Sequence, residues 1–144
     1  MKVFTIGFTK KNAERFFTQI RKAGISRIVD IRLNNTSQLA GFTKKDDLKF
    51  FLREICNIDY VHMPELAPTK EILDAYKKKG GDWNAYEHHY TELLKTRRIE
   101  KTLSRNLIDG GCFLCSEATP EQCHRRLAAE YLRDRWGDIE IHHL

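Results

Sequence analysis

No apolar run in the 144-residue chain approaches the ~18 residues that a membrane-crossing helix requires. That excludes a membrane-spanning reading, and no membrane partner is expected. The opening Met1-Lys-Val-Phe-Thr-Ile6 is too brief an apolar stretch for a secretory signal. Without export, the four cysteines are expected to stay reduced, which places the chain in the cytoplasm. Repeats, low-complexity tracts and linkers are also lacking. Residues 1–144 therefore read as a single α/β domain, long enough to bury a core without cross-links.

The composition is ordinary for a folded domain, with 41% hydrophobic and 31% charged residues. The net charge of +5 is unevenly spread. Residues 1–60 hold 12 Lys/Arg against 6 Asp/Glu, residues 61–110 hold 9 against 8, and residues 111–144 hold 4 against 6. A basic N-terminal half suits an anionic partner, either a small molecule or nucleic acid. A solvated face of helical lysines accounts for it more simply.

Along the chain, apolar alternation over Lys2–Ile6 predicts a strand, and Thr9 can cap a helix with Ala13, Phe16, Phe17, Ile20 and Ala23 on one face. Gly24 ends that helix and Arg27–Ile31 is a second strand, a β-α-β unit that argues for a parallel pair. After a loop from Arg32 to Phe42, Thr43-Lys-Lys-Asp46 resembles a capping box for a helix carrying Leu48, Phe51, Leu52 and Ile55. Ile58–Met63 is a third strand. Thr69 and Asp82 cap two further helices, the second with Trp83, Tyr86, Tyr90 and Leu93 as a packing stripe. A helical stretch from Ile99 to about Leu107 stops at Gly110-Gly111, before the short apolar strand Cys112–Cys115. Thr119-Pro120-Glu121-Gln122 predicts a helix start, with the helix running to about Trp136. Asp138–His143 is a last strand. The alternation defines a three-layer, Rossmann-like α/β domain with a mostly parallel central sheet of about five strands.

In such sheets ligands sit beyond the carboxyl ends of the strands. That rule selects Gly7, then Asp30–Arg32, then His62–Glu65, and then Cys115–Glu117. Asp30 and Arg32 flank Ile31 and point to one side, which suits either a site or a fold-holding ion pair. Gly7 either admits a ligand to the backbone or simply turns the chain. The turn into the last helix is the strongest local signal. Its exposed N–H groups and dipole suit an anion, and Arg125 adds a forked donor for phosphate or carboxylate.

The cysteines admit three readings. Zinc on Cys112, Cys115, Cys123 and His124 is disfavoured, because Cys112 and Cys115 face opposite sides of a strand and Cys123 and His124 diverge by about 100° on a helix. No metal or cofactor is therefore assigned. A reactive thiol favours Cys123, near a helix start and beside His124 and Arg125, over Cys115, which lies two residues from Glu117. In the third reading both are small apolar core residues. Cys56 reads as core, and His88 and His89 as solvated helix positions.

Taken in order, Thr5-Ile-Gly7, Val29-Asp-Ile-Arg32 with Ser37, Tyr60-Val-His-Met-Pro64 and Leu114-Cys-Ser-Glu117…Pro120-Glu-Gln-Cys-His-Arg125 resemble the domain of unknown function 488 (DUF488) family. The resemblance implies the α/β fold and a shared site of Asp30, Arg32, Cys115, Glu117, Cys123, His124 and Arg125, with no established activity. Such proteins commonly carry histidine after the first Thr-Ile-Gly. This chain has Phe8 there and keeps a hydroxyl at Thr9.

Two functions follow. In the first, an enzyme-like pocket takes an anionic small molecule, a nucleotide or a nucleic-acid end. Gly7, Thr9, Arg32, Ser37 and Arg125 would hold the ligand, with Glu117, Asp30 or His124 as acid or base and Cys115 or Cys123 as nucleophile if ionised. In the second, the chain is a non-catalytic module binding nucleic acid or protein through its basic half.

Overall fold

In the computed structural model, which describes residues 1–36 and 40–144, the strands are β1 (Lys2–Gly7), β2 (Arg27–Asp30), β3 (Asp59–His62), β4 (Gly111–Cys115) and β5 (Glu140–His143). They form one all-parallel sheet in the order β3-β2-β4-β1-β5. The helices are α1 (Ala13–Ala23), α2 (Lys45–Phe51), α3 (Lys70–Lys77), α4 (Trp83–Arg97), α5 (Ile99–Thr102), α6 (Arg105–Ile108) and α7 (His124–Trp136).

The expected α/β architecture is present, and β4 explains its layering. All five of its residues are buried, which requires a helix on each face of the sheet. On one face Ile6, Ile28, Cys112 and Leu114 pack with Phe16, Phe17 and Ile20 of α1 and Leu48 of α2. On the other, Val29, Ile31 and Phe113 pack with Tyr90 and Leu94 of α4 and Leu127 and Leu132 of α7. Each large side chain fully withdrawn from water contributes about 1.5–3 kcal/mol. The same burial changes one expectation: β1 and β2 are parallel, but β4 lies between them and pairs with both.

The chain first runs β1-β2-β3 with its helices on the α1 face. It then returns through β4 to β5 with helices on the α7 face. Loops leaving β2 and β4 therefore diverge to opposite faces, and a crevice opens between those strand ends.

Several helix starts differ from the sequence reading. Asn12, not Thr9, caps α1 by accepting from Arg15 N at 2.8 Å, a cap that contributes about 1 kcal/mol. Thr43 sits in a 3₁₀ turn and donates to Ala40 O, so α2 begins without a capping box. The stretch 99–107 breaks into two short turns around Leu103 and Ser104. Thr69 and Asp82 do cap α3 and α4.

The most consequential difference concerns α7, which begins at His124 rather than near Pro120. A helix from Thr119 would give the carbonyls of Pro120 and Glu121 to the N–H groups of His124 and Arg125. Instead the Arg126 guanidinium donates to both carbonyls, at 3.0–3.3 Å. Arg125 Nη1 donates to Glu117 O at 2.6 Å, and Thr9 N donates to Ser116 O at 3.0 Å. Side chains of the helix's own first turn, together with the Thr9 backbone N–H, thus hold residues 116–122 as a loop over the strand ends.

Candidate functional site

A cleft of ≈ 160 Å³ lies where β2 and β4 end, bounded by the loop after each strand and by α3, α4 and the start of α7. Of the residues singled out in the sequence, it brings together Arg32, Cys115, Glu117, Cys123 and His124. Gly7, Thr9, Asp30 and Arg125 are not on its wall, and Ser37 lies outside the described residues.

Asp30 and Arg32 are committed to each other. Arg32 Nε and Nη2 reach the two carboxylate oxygens at 2.8 Å each, and the carboxylate is fully buried. Tyr60 OH donates to the same carboxylate at 2.5 Å, and Arg32 Nη2 also donates to Thr43 O at 2.7 Å. Burial, then the Asp30 charge and hydrogen bond, push the Tyr60 hydroxyl well above its ordinary pKa. The guanidinium still forms one wall of the cleft and stacks over Phe8, its carbon 5.5 Å from the ring centre.

Arg125 is different. It is fully buried, and it donates to Thr5 Oγ1 and to the Glu117 carbonyl, both neutral acceptors. Its Nη2 has no hydrogen-bond partner among the described residues. The forked donor that the sequence offered to a ligand is therefore turned inward. Its charge acts at a distance: after burial, the Arg125 charge is the next cause that brings Lys11 down to about 8. Gly7 makes room for this arrangement. A Cβ there would stand 1.6 Å from the Glu117 carbonyl oxygen and 2.9 Å from Arg125 Nη1, so the glycine admits the protein's own loop.

The centre of the cleft is Cys115, at the carboxyl end of β4. His124 Nδ1 lies 3.3 Å from its sulfur. The other ring nitrogen, Nε2, lies 2.8 Å from the Ile31 carbonyl oxygen. A carbonyl only accepts, so Nε2 carries a proton, and Nδ1 is the nitrogen that faces Cys115. Burial opposes ionisation of the Cys115 thiol. A hydrogen bond from Cys123, the Arg125 charge and the backbone N–H groups of Ser116 and Arg125 together outweigh it, and the pKa falls below the ordinary thiol value. Cys123 moves the other way: burial raises its pKa, and the hydrogen bond to Cys115 adds to the rise. This is the reverse of the order that sequence spacing favours. The half-exposed Glu117 carboxylate, expected to oppose Cys115, is paired with Lys77 on the rim of the cleft.

Cys123 and His124 also fail to diverge. Cys123 is the N-cap of α7 in an extended conformation, φ −140° and ψ 138°, so the helical spacing does not apply to it. Donor atoms of Cys115, Cys123 and His124 all lie within 4.8 Å of one another, and all three residues are buried. Cys112 faces the opposite side of the sheet, in the α1 layer, and burial raises its thiol pKa. Cys56 is half-buried and packs against the core on the α1 face.

Sequence reasoning missed the far wall. Tyr76, Trp83 and Tyr86 line the cleft and pack on one another, with Trp83 and Tyr86 stacked 5.2 Å apart. The stripe was visible as helical periodicity, which does not say that one edge of it meets a cavity. Lys77 and Gln122 complete the rim, and Tyr76 OH donates to Gln122 Oε1. His88 and His89 are solvent-exposed as expected.

These features define a doubly wound α/β domain with a thiol-bearing cleft at its strand ends. The family described as Domain of unknown function DUF488 matches residues 12–132, and the chain belongs to it. Every residue lining the cleft falls within that span. No curated protein and no solved structure matches the chain. No helix among the described residues is long and apolar enough to cross a membrane.

Proposed function

We propose that this chain is a thiol-dependent enzyme in which Cys115 is the nucleophile and His124 its base. The observation that carries this reading is the pair itself: Sγ and Nδ1 at 3.3 Å, with the ring held by Ile31 O. A nucleophile, a base within reach and a third group that fixes the base are the parts covalent catalysis needs. His124 Nδ1 takes the Cys115 proton. The thiolate then attacks an electrophilic carbon or phosphorus, the leaving group departs with the proton from the imidazolium, and water or a second substrate displaces the sulfur.

The cleft volume of ≈ 160 Å³ is below the roughly 300–1,000 Å³ of sites that enclose a drug-sized ligand. The reacting portion is accordingly small, the size of one ring or a short acyl group, laid against Tyr76 and Trp83. In this reading the anion that Arg125 serves is the Cys115 thiolate.

The buried charge of Arg125, met only by neutral acceptors, also favours a second reading. If Cys115 stays a thiol, that charge acts from behind the wall, and an anionic ligand such as a phosphate or nucleotide end would bind in the cleft against Arg32 and Lys77, without covalent chemistry. A non-catalytic nucleic-acid module is the limiting case.

Alkylation of reduced, metal-free protein with iodoacetamide near neutral pH, read by peptide mass spectrometry, separates these. Cys115 is expected to label first, and His124→Asn to slow it by about 10²-fold, the lower end for loss of a positioned base. Labelling of Cys56 alone, with Cys115 inert in folded protein, rejects the nucleophile. Salt-sensitive nucleic-acid binding that survives Cys115→Ser would instead support the module.

A further inference from the structure

The thiol reading uses Cys115 and His124 and gives Cys123 no role beyond a hydrogen bond. Yet three different segments converge on one point: the end of β4, the residue that caps α7, and that helix's first residue. Their donor atoms lie within 4.8 Å of one another. Two sulfurs and an imidazole nitrogen bound to one tetrahedral ion, at about 2.3 Å and 2.0–2.1 Å, stand within that span of each other.

The histidine is also prepared as a ligand. Metal-bound histidines commonly give their second N–H to a carbonyl or carboxylate, which fixes the tautomer and the ring. Ile31 O receives Nε2–H at 2.8 Å, and the remaining nitrogen, Nδ1, is the one 3.3 Å from the Cys115 sulfur.

We infer that Cys115 Sγ, Cys123 Sγ and His124 Nδ1 form a binding site for a soft divalent cation such as Zn²⁺, with the fourth coordination position facing the cleft. Thiolate and imidazole donors select zinc-like ions over Mg²⁺ or Ca²⁺, which take oxygen. Binding forms two metal–sulfur bonds and one metal–nitrogen bond and releases the remaining thiol protons to solvent. Two thiolates balance the charge of the ion, so it can sit near Arg125. Three protein ligands and one open position make the pattern of a catalytic rather than a structural site. The inference goes beyond the thiol reading and does not depend on it. A bound ion competes with a substrate for the Cys115 thiolate by drawing on its electron density.

The test is titration of reduced, metal-free protein with Co²⁺, followed by displacement with Zn²⁺. One equivalent should raise sulfur-to-cobalt charge-transfer absorption, and Zn²⁺ should abolish it. Cys123→Ser and His124→Ala should each weaken binding by at least about tenfold, while Cys112→Ala, on the opposite face, should leave it unchanged; circular dichroism checks that each variant folds. Absence of the absorption in folded protein overturns the site. So does absorption that survives both Cys123→Ser and His124→Ala. Iodoacetamide labelling keeps the two readings apart. Fast Cys115 labelling without cobalt binding removes the metal site and leaves the nucleophile. Cobalt binding with Cys115 inert after metal removal does the opposite, and zinc protection of a reactive Cys115 supports both.

Discussion

Two arginines are buried within reach of the same strand ends, and they are treated differently. Arg32 is 4% exposed and grips the Asp30 carboxylate with two nitrogens. Arg125 is 0% exposed and meets a hydroxyl, a carbonyl and no carboxylate. A buried ion needs compensation worth several kcal/mol. The first arginine has it from a neighbour two residues away, so its role is to fix the loop after β2. The second is compensated only if an anion forms beside it; its charge favours ionisation of Cys112, Cys115 and Cys123, and of these Cys115 is the one whose pKa falls. The same contrast separates two cysteines of β4. Cys112 and Cys115 are both buried, yet the one without donors is raised and the one facing N–H groups is lowered.

The contrast breaks most heavily at Asp30. Asp30→Ala leaves Arg32 charged and unpaired, and should cost about 3–5 kcal/mol in urea unfolding. Its effect on Cys115 labelling should be small; a large one would show that Arg32 also serves the thiol. Gly7→Ala should come next, at about 1–3 kcal/mol or somewhat more, because the new Cβ displaces the Glu117 carbonyl and Arg125. Unlike Asp30→Ala, it should also slow Cys115 labelling, and unchanged labelling would mean that Arg125 does not need its seat.

Arg125→Met should cost about 1–3 kcal/mol through the unpaired Glu117 carbonyl. The rate of Cys115 alkylation should then rise only at higher pH than in the parent protein. Arg125→Lys should restore most of the pH profile if charge is the cause, and a Lys variant indistinguishable from Met would assign the effect to packing.

The smallest expected effect lies at the far end of the same chain of bonds. Thr5 Oγ1 accepts from Arg125 Nε and is paired with His143 Nδ1 at 2.6 Å. Burial, then the Arg125 charge, lowers the His143 pKa in the folded state. The unfolded chain therefore binds the proton more readily, and the contribution to stability is intact above about pH 6.5 and lost as pH falls below it. Melting temperatures at pH 7.5 and 5.5 should differ less in His143→Gln than in the parent; an equal difference would assign the acid sensitivity elsewhere.

Much of the fold was legible from residue order. Apolar alternation and turn residues located all five strands, and Thr69 and Asp82 marked helix starts that occur. The misplaced start of α7 has a physical cause that no local rule contains. Thr119-Pro120 offers a good cap, but Arg125 and Arg126 take the carbonyls of Glu117, Pro120 and Glu121 for their side chains. Once that loop is held open, Cys123 is extended rather than helical. The spacing that set Cys123 and His124 apart no longer holds, and with it goes one of the two grounds for disfavouring a metal; the other stands, since Cys112 faces the opposite side of the sheet.

The motif Cys115-Ser-Glu117…Cys123-His124-Arg125 was enough to locate the cleft, because it joins the carboxyl end of a buried strand to a helix start. Which members face the cleft was decided by tertiary packing. Glu117 turns to Lys77 on α3, Arg125 folds back over Gly7 toward Thr5, and His124 reaches the Ile31 carbonyl, 93 residues away in sequence. Sequence determines which donors and charges are available near a strand end. The order of their pKa values depends on distances between segments that meet only in the folded chain.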